Sequence, residues 1–421
     1  IIILGAGRVG ESVAETLVSE ANDITVVDPD PERLRMLEDR LDLRGVTGNG
    51  IQPSVLRGAG AQDCDLFIAC TPQDETNLVA CKIAHDVLGI PTTIARLRSP
   101  EFRQGDKLLE KDGFAVDHVI CPEESVTRTI HQLIEYPEAL QVVKFSQSQA
   151  HLIVVRVSAG SYLANHSIAE FRAHRADVPM RIVGIYRRDQ ELPVAAETRV
   201  QAGDEVFVLT GRESVRAALH TIGNPDRPVR RVMIAGGGKV GLRLARGLVG
   251  RCEVKILESN RKRCDYLASE LPPEMLVLQG DGTDEELLLD ENVADMDLFI
   301  AVTNDDEDNI LSAMLAKRMG ARRVIALINR RAYADLMQGS TIDIAISPAH
   351  AVIGELLMHV CRGAVAAVHS LRGGTAEALE GVAHGDAKTS HLVGRRIDQV
   401  KLPAGARIGA IVRGEGSSAH T

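Results

Sequence analysis

Two stretches of the chain carry glycines at a spacing that admits a phosphate: Gly5-Ala6-Gly7-Arg8-Val9-Gly10 and Gly236-Gly237-Gly238-Lys239-Val240-Gly241. Each follows an apolar strand and opens a helical pattern, carried in the first copy by Val9, Val13 and Leu17. Gly5 and Gly236 allow the tight turn, and Gly7 and Gly238 let the backbone approach a pyrophosphate. Gly10 and Gly241 let the helix pack on the strand. Amides at the helix start then meet the phosphate charge. About twenty residues on, an acid ends the next strand, Asp28 in one copy and Glu258 in the other, placed to accept from ribose hydroxyls. Both acids repel a 2′-phosphate, which favours NAD(H), although Arg261, Lys262 and Arg263 weaken that argument in the second copy. Neither acid separates NAD(H) from ATP or ADP, because all carry the adenosine ribose. The alternative is a degenerate Rossmann unit that keeps its glycines for packing alone.

The copies differ where charge matters. The first has Ala95-Arg96-Leu97-Arg98, the second Ala326-Leu327-Ile328-Asn329 with Arg330 and Arg331 after it. Arg96 and Arg98 alternate along a strand end, so at least one turns into the crevice toward phosphate; for Arg98 a surface salt bridge is the competing role. Two non-equivalent sites follow, the first better suited to a polyphosphate. Asn49 and Asp281 end the third strand of their copies, where either adenine contact or ordinary turn chemistry suits them. The acidic runs Asp74-Glu75 and Asp305-Asp306-Glu307-Asp308 precede helical patterns, which fits dipole compensation better than a metal site. The thirteen histidines show no ligand spacing, so no zinc site is expected.

These residues are positioned by a duplicated frame. Residues 1–102 and 232–333 match element by element: Ile24-Thr25-Val26-Val27-Asp28 answers Val254-Lys255-Ile256-Leu257-Glu258, Asp65-Leu66-Phe67-Ile68-Ala69 answers Asp297-Leu298-Phe299-Ile300-Ala301, and Asn77 answers Asn309. Short β-branched runs alternate with helical patterns, which predicts an α/β class with two tandem Rossmann-like, doubly wound parallel-sheet domains. First-copy strands are expected at 1–4, 24–27, 66–70 and 92–95, and a helix after Asp30 as N-cap and Pro31. A small α+β lobe follows each, with strands at 152–157, 181–186 and 205–209 and a short helix near Ser167 in the first. The expected domains are 1–121, 139–222, 229–347 and 366–421, the last lobe apparently truncated. Helical stretches Glu123–Glu135 and Ala349–Cys361 lie between domain and lobe, and their apolar residues suit covering a neighbouring subunit.

Composition narrows the function. The chain has 421 residues, 45% apolar and 25% charged, as expected of a globular protein too long for one core. A net charge of −10, 3% aromatics and no Trp argue against nucleic acid. No apolar run is long enough to span a bilayer, which excludes a channel by itself and leaves a peripheral subunit. No signal peptide is expected, and the start at a buried strand reads as clipped. Seven scattered cysteines without a C-x-x-C pair suit reduced thiols in the cytoplasm.

Several stretches carry a family likeness: Ile3-Leu4-Gly5-Ala6-Gly7, Ala95-Arg96-Leu97-Arg98-Ser99-Pro100-Glu101, Ser312-Ala313-Met314-Leu315-Ala316-Lys317-Arg318-Met319-Gly320-Ala321, Ile344-Ala345-Ile346-Ser347-Pro348 and Ala383-His384-Gly385-Asp386. Along nearly its whole length the chain resembles the TrkA family, regulatory subunits of bacterial Trk potassium-uptake systems built from two RCK-type (regulator of potassium conductance) modules. The resemblance implies a ring, a homotetramer, on the cytoplasmic face of the inner membrane beneath a TrkH- or TrkG-like channel subunit. It implies NAD(H) as ligand, with ATP and ADP as regulatory ligands that set channel opening. Carried over by position, contacts fall on Gly5 to Val9, Asp28, Thr71, Pro72 and Arg96, then on Gly236 to Val240 and Glu258, with Thr303 as the counterpart of Thr71. Asn49 departs from the acid or His usual there. Two rivals remain, an NAD-dependent oxidoreductase and a nucleotide sensor for another partner. The first needs a substrate domain that sets a proton-transfer group against the nicotinamide, and none is placed by the sequence.

Overall fold

The computed structural model describes residues 1–413 except 20–21, 100, 103–104, 189, 224–226, 331–332, 334–336, 338–340, 361–364, 373–374, 387, 391 and 404. Pro100, Arg331 and Cys361 from the sequence reading lie outside the described residues, as does the end of the last lobe. Strands β1 (Ile2–Leu4), β2 (Thr25–Asp28), β3 (Arg44–Thr47), β4 (Leu66–Ala69), β5 (Thr92–Arg96) and β6 (His118–Ile120) form one parallel sheet in the order β3-β2-β1-β4-β5-β6. The chain leaves β1 to one side and returns at β4 on the other, so the crevice opens between their C-terminal ends. Helix α1 (Arg8–Ser19) starts there. Helix α2 (Pro31–Glu38) starts as its sequence indicates: Asp30 accepts from the amides of Glu32 and Arg33, and Pro31 occupies the first turn. Helices α3 (Pro53–Gly58) and α4 (Asp74–Lys82) complete the first half, and α5 (Pro122–Glu135) leaves it.

The first lobe is a sheet of β7 (Ala139–Phe145), β8 (Ala150–Arg156), β9 (Met180–Arg187), β10 (Gln190–Glu191) and β11 (Glu205–Gly211), antiparallel at every described pairing. One face is covered by α6 (Ile168–His174) and α7 (Val215–Ile222). A capping box of Ser167 and Glu170 starts α6.

The second half repeats the first. Strands β12 (Arg231–Ala235), β13 (Glu253–Glu258), β14 (Leu276–Gln279), β15 (Leu298–Ala301), β16 (Val324–Leu327) and β17 (Ile344–Ile346) are parallel in the order β14-β13-β12-β15-β16-β17. They carry α8 (Lys239–Leu248), α9 (Arg261–Glu270), α10 (Glu285–Asp290) and α11 (Asp306–Arg318), then α12 (Pro348–Val360) and the antiparallel hairpin β18 (Val365–Leu371) and β19 (Ala376–Gly381). Leu371, Ala376 and Ala378 of that hairpin pack on the second face of the first lobe.

The two halves exchange helices. On α5, Val126, Ile130, Leu133 and Ile134 sit in one core with Val240, Leu244 and Leu248 of α8. On α12, Ile353, Leu356 and Leu357 join Val9, Val13 and Leu17 of α1. The apolar faces expected to cover a neighbouring subunit therefore cover the opposite half of the same chain. Each such side chain, fully buried, contributes about 1.5–3 kcal/mol, against about 0–1 kcal/mol for an exposed ion pair. The apolar seam thus fixes where α5 lies, and polar contacts only orient it. Two of those are Ser125 Oγ and Arg128 Nη1, which donate to Glu355 of α12 at 2.9 and 3.1 Å. The buried Arg323 guanidinium donates to the carbonyls of Pro137 and Ala139, just beyond the C-terminal end of α5. Truncating Ile130 to Ala should cost about 2–5 kcal/mol, read as a lower urea midpoint, with the far-ultraviolet spectrum of the native chain retained.

Candidate functional site

Chain direction is set at each glycine turn by backbone geometry. Gly5 and Gly236 have φ of +104° and +110°. A Cβ at Gly10 would lie 1.9 Å from the Gly5 carbonyl oxygen, and one at Gly241 2.0 Å from that of Gly236, so helix and turn meet only without side chains. At Gly7 and Gly238 a Cβ would meet nothing within 4 Å. Those two glycines leave open space at the start of the helix.

The strand-end acids clamp the turns. Asp28 accepts from the Ala6 amide at 2.7 Å through Oδ2 and from Asp30 at 2.9 Å through Oδ1. Glu258 accepts from Gly237 at 2.9 Å through Oε2 and from Asn260 at 2.9 Å through Oε1. Each carboxylate oxygen can accept a second bond, so a ribose hydroxyl does not have to displace the turn.

A buried asparagine builds the opposite wall. Asn77 accepts from the Thr71 amide and hydroxyl at 3.0 and 2.7 Å, and donates to the carbonyls of Thr71 and Arg96 at 3.0 and 2.7 Å. Asn309 does the same with Thr303 and with Leu327. The ends of neighbouring strands are thereby tied, and both asparagines are fully satisfied. Asp74 accepts from the amides of Arg98 and Ser99, as Asp306 does from Asn329 and Arg330, which holds the loops after β5 and β16. That is where Asp74 and Asp306 of the two acidic runs act, while Asp305 caps α11 by accepting from the Asp308 amide at 3.0 Å. Among the described residues no three His, Cys, Asp or Glu side chains gather in a metal-binding group.

A continuous cavity of about 1050 Å3 is lined by both turns. From the first copy Gly5, Gly7, Arg8, Val9, Asp28, Asn49, Thr71, Pro72, Arg96 and Arg98 line it; from the second, Gly236, Gly238, Lys239, Val240, Glu258, Asp281 and Thr303. Four candidates do not. Gly10 and Gly241 lie against the turn carbonyls, and Ala6 and Gly237 give their amides to the acids. Asn49 and Asp281 line the cavity while also closing turns, accepting from Ile51 and from Thr283.

Charge is uneven along this cavity. Arg96 Nη2 and Arg98 Nε both donate to one oxygen of Glu123, at 3.3 and 2.8 Å. Glu123 stands in the first turn of α5, the helix that packs on the second half. Two guanidiniums on one carboxylate leave a net positive charge, and the buried Arg96 Nε has no hydrogen-bond partner among the described residues. Such a donor costs about 1–3 kcal/mol while unpaired, and a phosphate oxygen would relieve it. In the second copy Leu327, Asn329 and Ala349 stand where Arg96, Arg98 and Glu123 stand in the first. Sequence reasoning had both arginines but not Glu123, whose position next to them depends on the pairing of β6 with β5, Ile120 against Arg96.

Burial alone would raise the Glu123 carboxyl, but the charges of Arg96 and Arg98 outweigh it and hold it below the ordinary 4.5. A depressed carboxylate stabilises above its unfolded value and loses that effect as pH falls through its folded one. Glu123→Gln should therefore lower the melting temperature at pH 7, with the gap to the native chain closing as pH drops below 4.5. Thermal melts should also separate the glycines. Gly10→Ala should cost about 3 kcal/mol or more, whereas Gly7→Val and Gly238→Val keep the native melting temperature within a few degrees.

Comparison with known proteins follows the duplication in this chain. The family model of the TrkA-N domain matches residues 1–122 and 232–348, and that of the TrkA-C domain residues 152–223. The Trk system potassium uptake protein TrkA of Vibrio alginolyticus is 48% identical over 416 residues, 99% of this chain and 91% of that protein. Its namesake in Halomonas elongata is 48% identical over 415 residues, again 99% and 91%. Among solved structures, the GsuK RCK domain superposes with a TM-score of 0.61 at 20% identity, over 85% of this chain and 75% of that one. The GsuK channel bound to NAD gives 0.60 at 20% identity, over 85% and 62%. These two likenesses are of fold. With both halves matching one domain model, and with relatives almost half identical along nearly all of its length, this chain belongs to the TrkA family.

Proposed function

We propose that the chain is the nucleotide-sensing regulatory subunit of a Trk-type potassium uptake system, binding NAD(H) and ATP or ADP and gating a TrkH- or TrkG-like channel subunit. It works as a ring, a homotetramer, peripheral on the cytoplasmic face of the inner membrane. The observation that carries this reading is the shared cavity: both glycine turns line it, where a dehydrogenase would set a substrate domain against its one turn. The relatives' names support the potassium system, and the neighbour bound to NAD supports the ligand class. Among the described residues no helix is long and apolar enough to cross a membrane, so a separate channel subunit fits.

The residues suit the ligands unequally. In site one the amides after Gly7 hold phosphate, Asp28 holds ribose, Asn49 faces the base, and Arg96 and Arg98 meet the distal phosphates beside Thr71 and Pro72. In site two Gly238 to Val240, Glu258, Asp281 and Thr303 take the same places without a strand-end cation. A phosphate on Arg96 competes with Glu123 for that guanidinium. Triphosphate, diphosphate and dinucleotide differ in charge and length, so they draw Arg96 from Glu123 to different extents. Gating then follows as a population shift, since a ligand moves a ring only by its differential affinity for two conformations.

A charge-assisted hydrogen bond is worth about 1.5–3 kcal/mol, roughly tenfold to a hundredfold in affinity. Arg96→Ala should weaken ATP and ADP at site one by that factor and blunt the nucleotide response of potassium flux in channel-containing vesicles. Unchanged affinities together with an unchanged flux response would sink the proposal; turnover of NADH with a small substrate would favour the oxidoreductase.

A further inference from the structure

Site one is finished by parts that ride on the second half. Glu123, the partner of Arg96 and Arg98, is carried by α5, and α5 is packed on α8 through Val126, Ile130 and Leu133. Helix α8 is the one whose N-terminal amides, from Lys239 on, face the phosphate space of site two. One turn along it, Arg243 reaches across to the first half. Its Nη2 donates to the Arg98 carbonyl oxygen at 3.2 Å, and its Nη1 to Cys121 Sγ at 3.2 Å. Both acceptors adjoin site-one groups: Arg98 bears the guanidinium on Glu123, and Cys121 precedes the turn that presents Glu123. The guanidinium is planar and its donors diverge in a fixed fork, so it fixes the two acceptors relative to each other as well as to α8. Residue 12, its first-half counterpart, is Ser, too short to make this bridge.

We propose that Arg243 is a positioning residue that couples the two nucleotide sites, carrying displacement of α8 by a ligand at site two to the Arg98–Glu123 pair of site one. The inference rests on the nucleotide reading above. Arg243 touches neither phosphate space; it acts through the backbone of Arg98 and the thiol of Cys121. Coupling is reciprocal in free energy, so occupancy of site one alters site two by the same factor.

The test uses ADP as the probe and the full chain throughout. Gly7→Val and Gly238→Val each place a side chain in open phosphate space and silence one site, so calorimetry on each gives the affinity of the other alone. In the native chain the two-site isotherm should depart from the sum of those single sites by about fivefold or more. Arg243→Met should bring it back to the sum within about twofold, while the single-site affinities measured in Gly7→Val/Arg243→Met and Gly238→Val/Arg243→Met stay native. Arg243→Lys, with one ammonium for two acceptors, should restore part of the coupling, which a loss of folding would not allow. A native isotherm that already equals the sum, or full coupling retained in Arg243→Met, overturns the inference and leaves nucleotide binding standing. Absence of ADP binding in every chain overturns the nucleotide reading, and this inference with it.

Discussion

Helix α5 buries Val126, Ile130, Leu133 and Ile134 against the second half, although the chain enters it from the first. Helix α12 makes the reverse crossing with Ile353, Leu356 and Leu357. Four or so fully buried aliphatic side chains at about 1.5–3 kcal/mol each outweigh the few ion pairs at the same boundary, so this exchange decides the relative placement of the halves. The site depends on it. The two glycine turns share one cavity because the halves are held against each other. Glu123, set beside Arg96 and Arg98 by the pairing of β6 with β5, opens the helix that makes the crossing.

Within each half, the crevice is shaped by local contacts. A carbonyl oxygen occupies the space that a side chain at Gly10 or Gly241 would need, an acid holds the turn by its amides, and an asparagine ties the two strand ends beyond. None of these contacts differs in kind between the halves. The difference lies in what surrounds them: a positive cluster with one shared carboxylate in the first, and Leu327, Asn329 and Ala349 in the second. The charge at the strand ends therefore differs between the halves, while the cradle itself is common to both.

The duplicated sheets and the glycine-turn geometry were legible in the sequence, because each rests on short-range rules: period-two apolar runs, a left-handed glycine, an acid at the next strand end. The N-cap at Asp30 was legible for the same reason. The three-residue strand β6 was not, since no glycine turn follows it to mark its end as one marks that of β1. Asn77 and Asn309 showed in the repeat, but their role needs a carbonyl on the adjacent strand, nineteen and eighteen residues away. Glu123 lay in a recognised helix with no visible purpose. Arg243 was silent, since its acceptors are 145 and 122 residues earlier and belong to the other half. The helices read as suited to a neighbouring subunit show the same limit: an apolar stripe reveals that something covers it, and connectivity decides what.

Exchanging helices inside one chain also changes what a single substitution can do. In a dimer of identical subunits, every residue appears twice, so a change that removes a charge from one pocket removes it from both. Here the halves are joined, and Arg96, Arg98 and Glu123 persist in one while their counterparts are neutral. The architecture retains the packing of a symmetric pair while letting its two receptors be tuned separately, one substitution at a time.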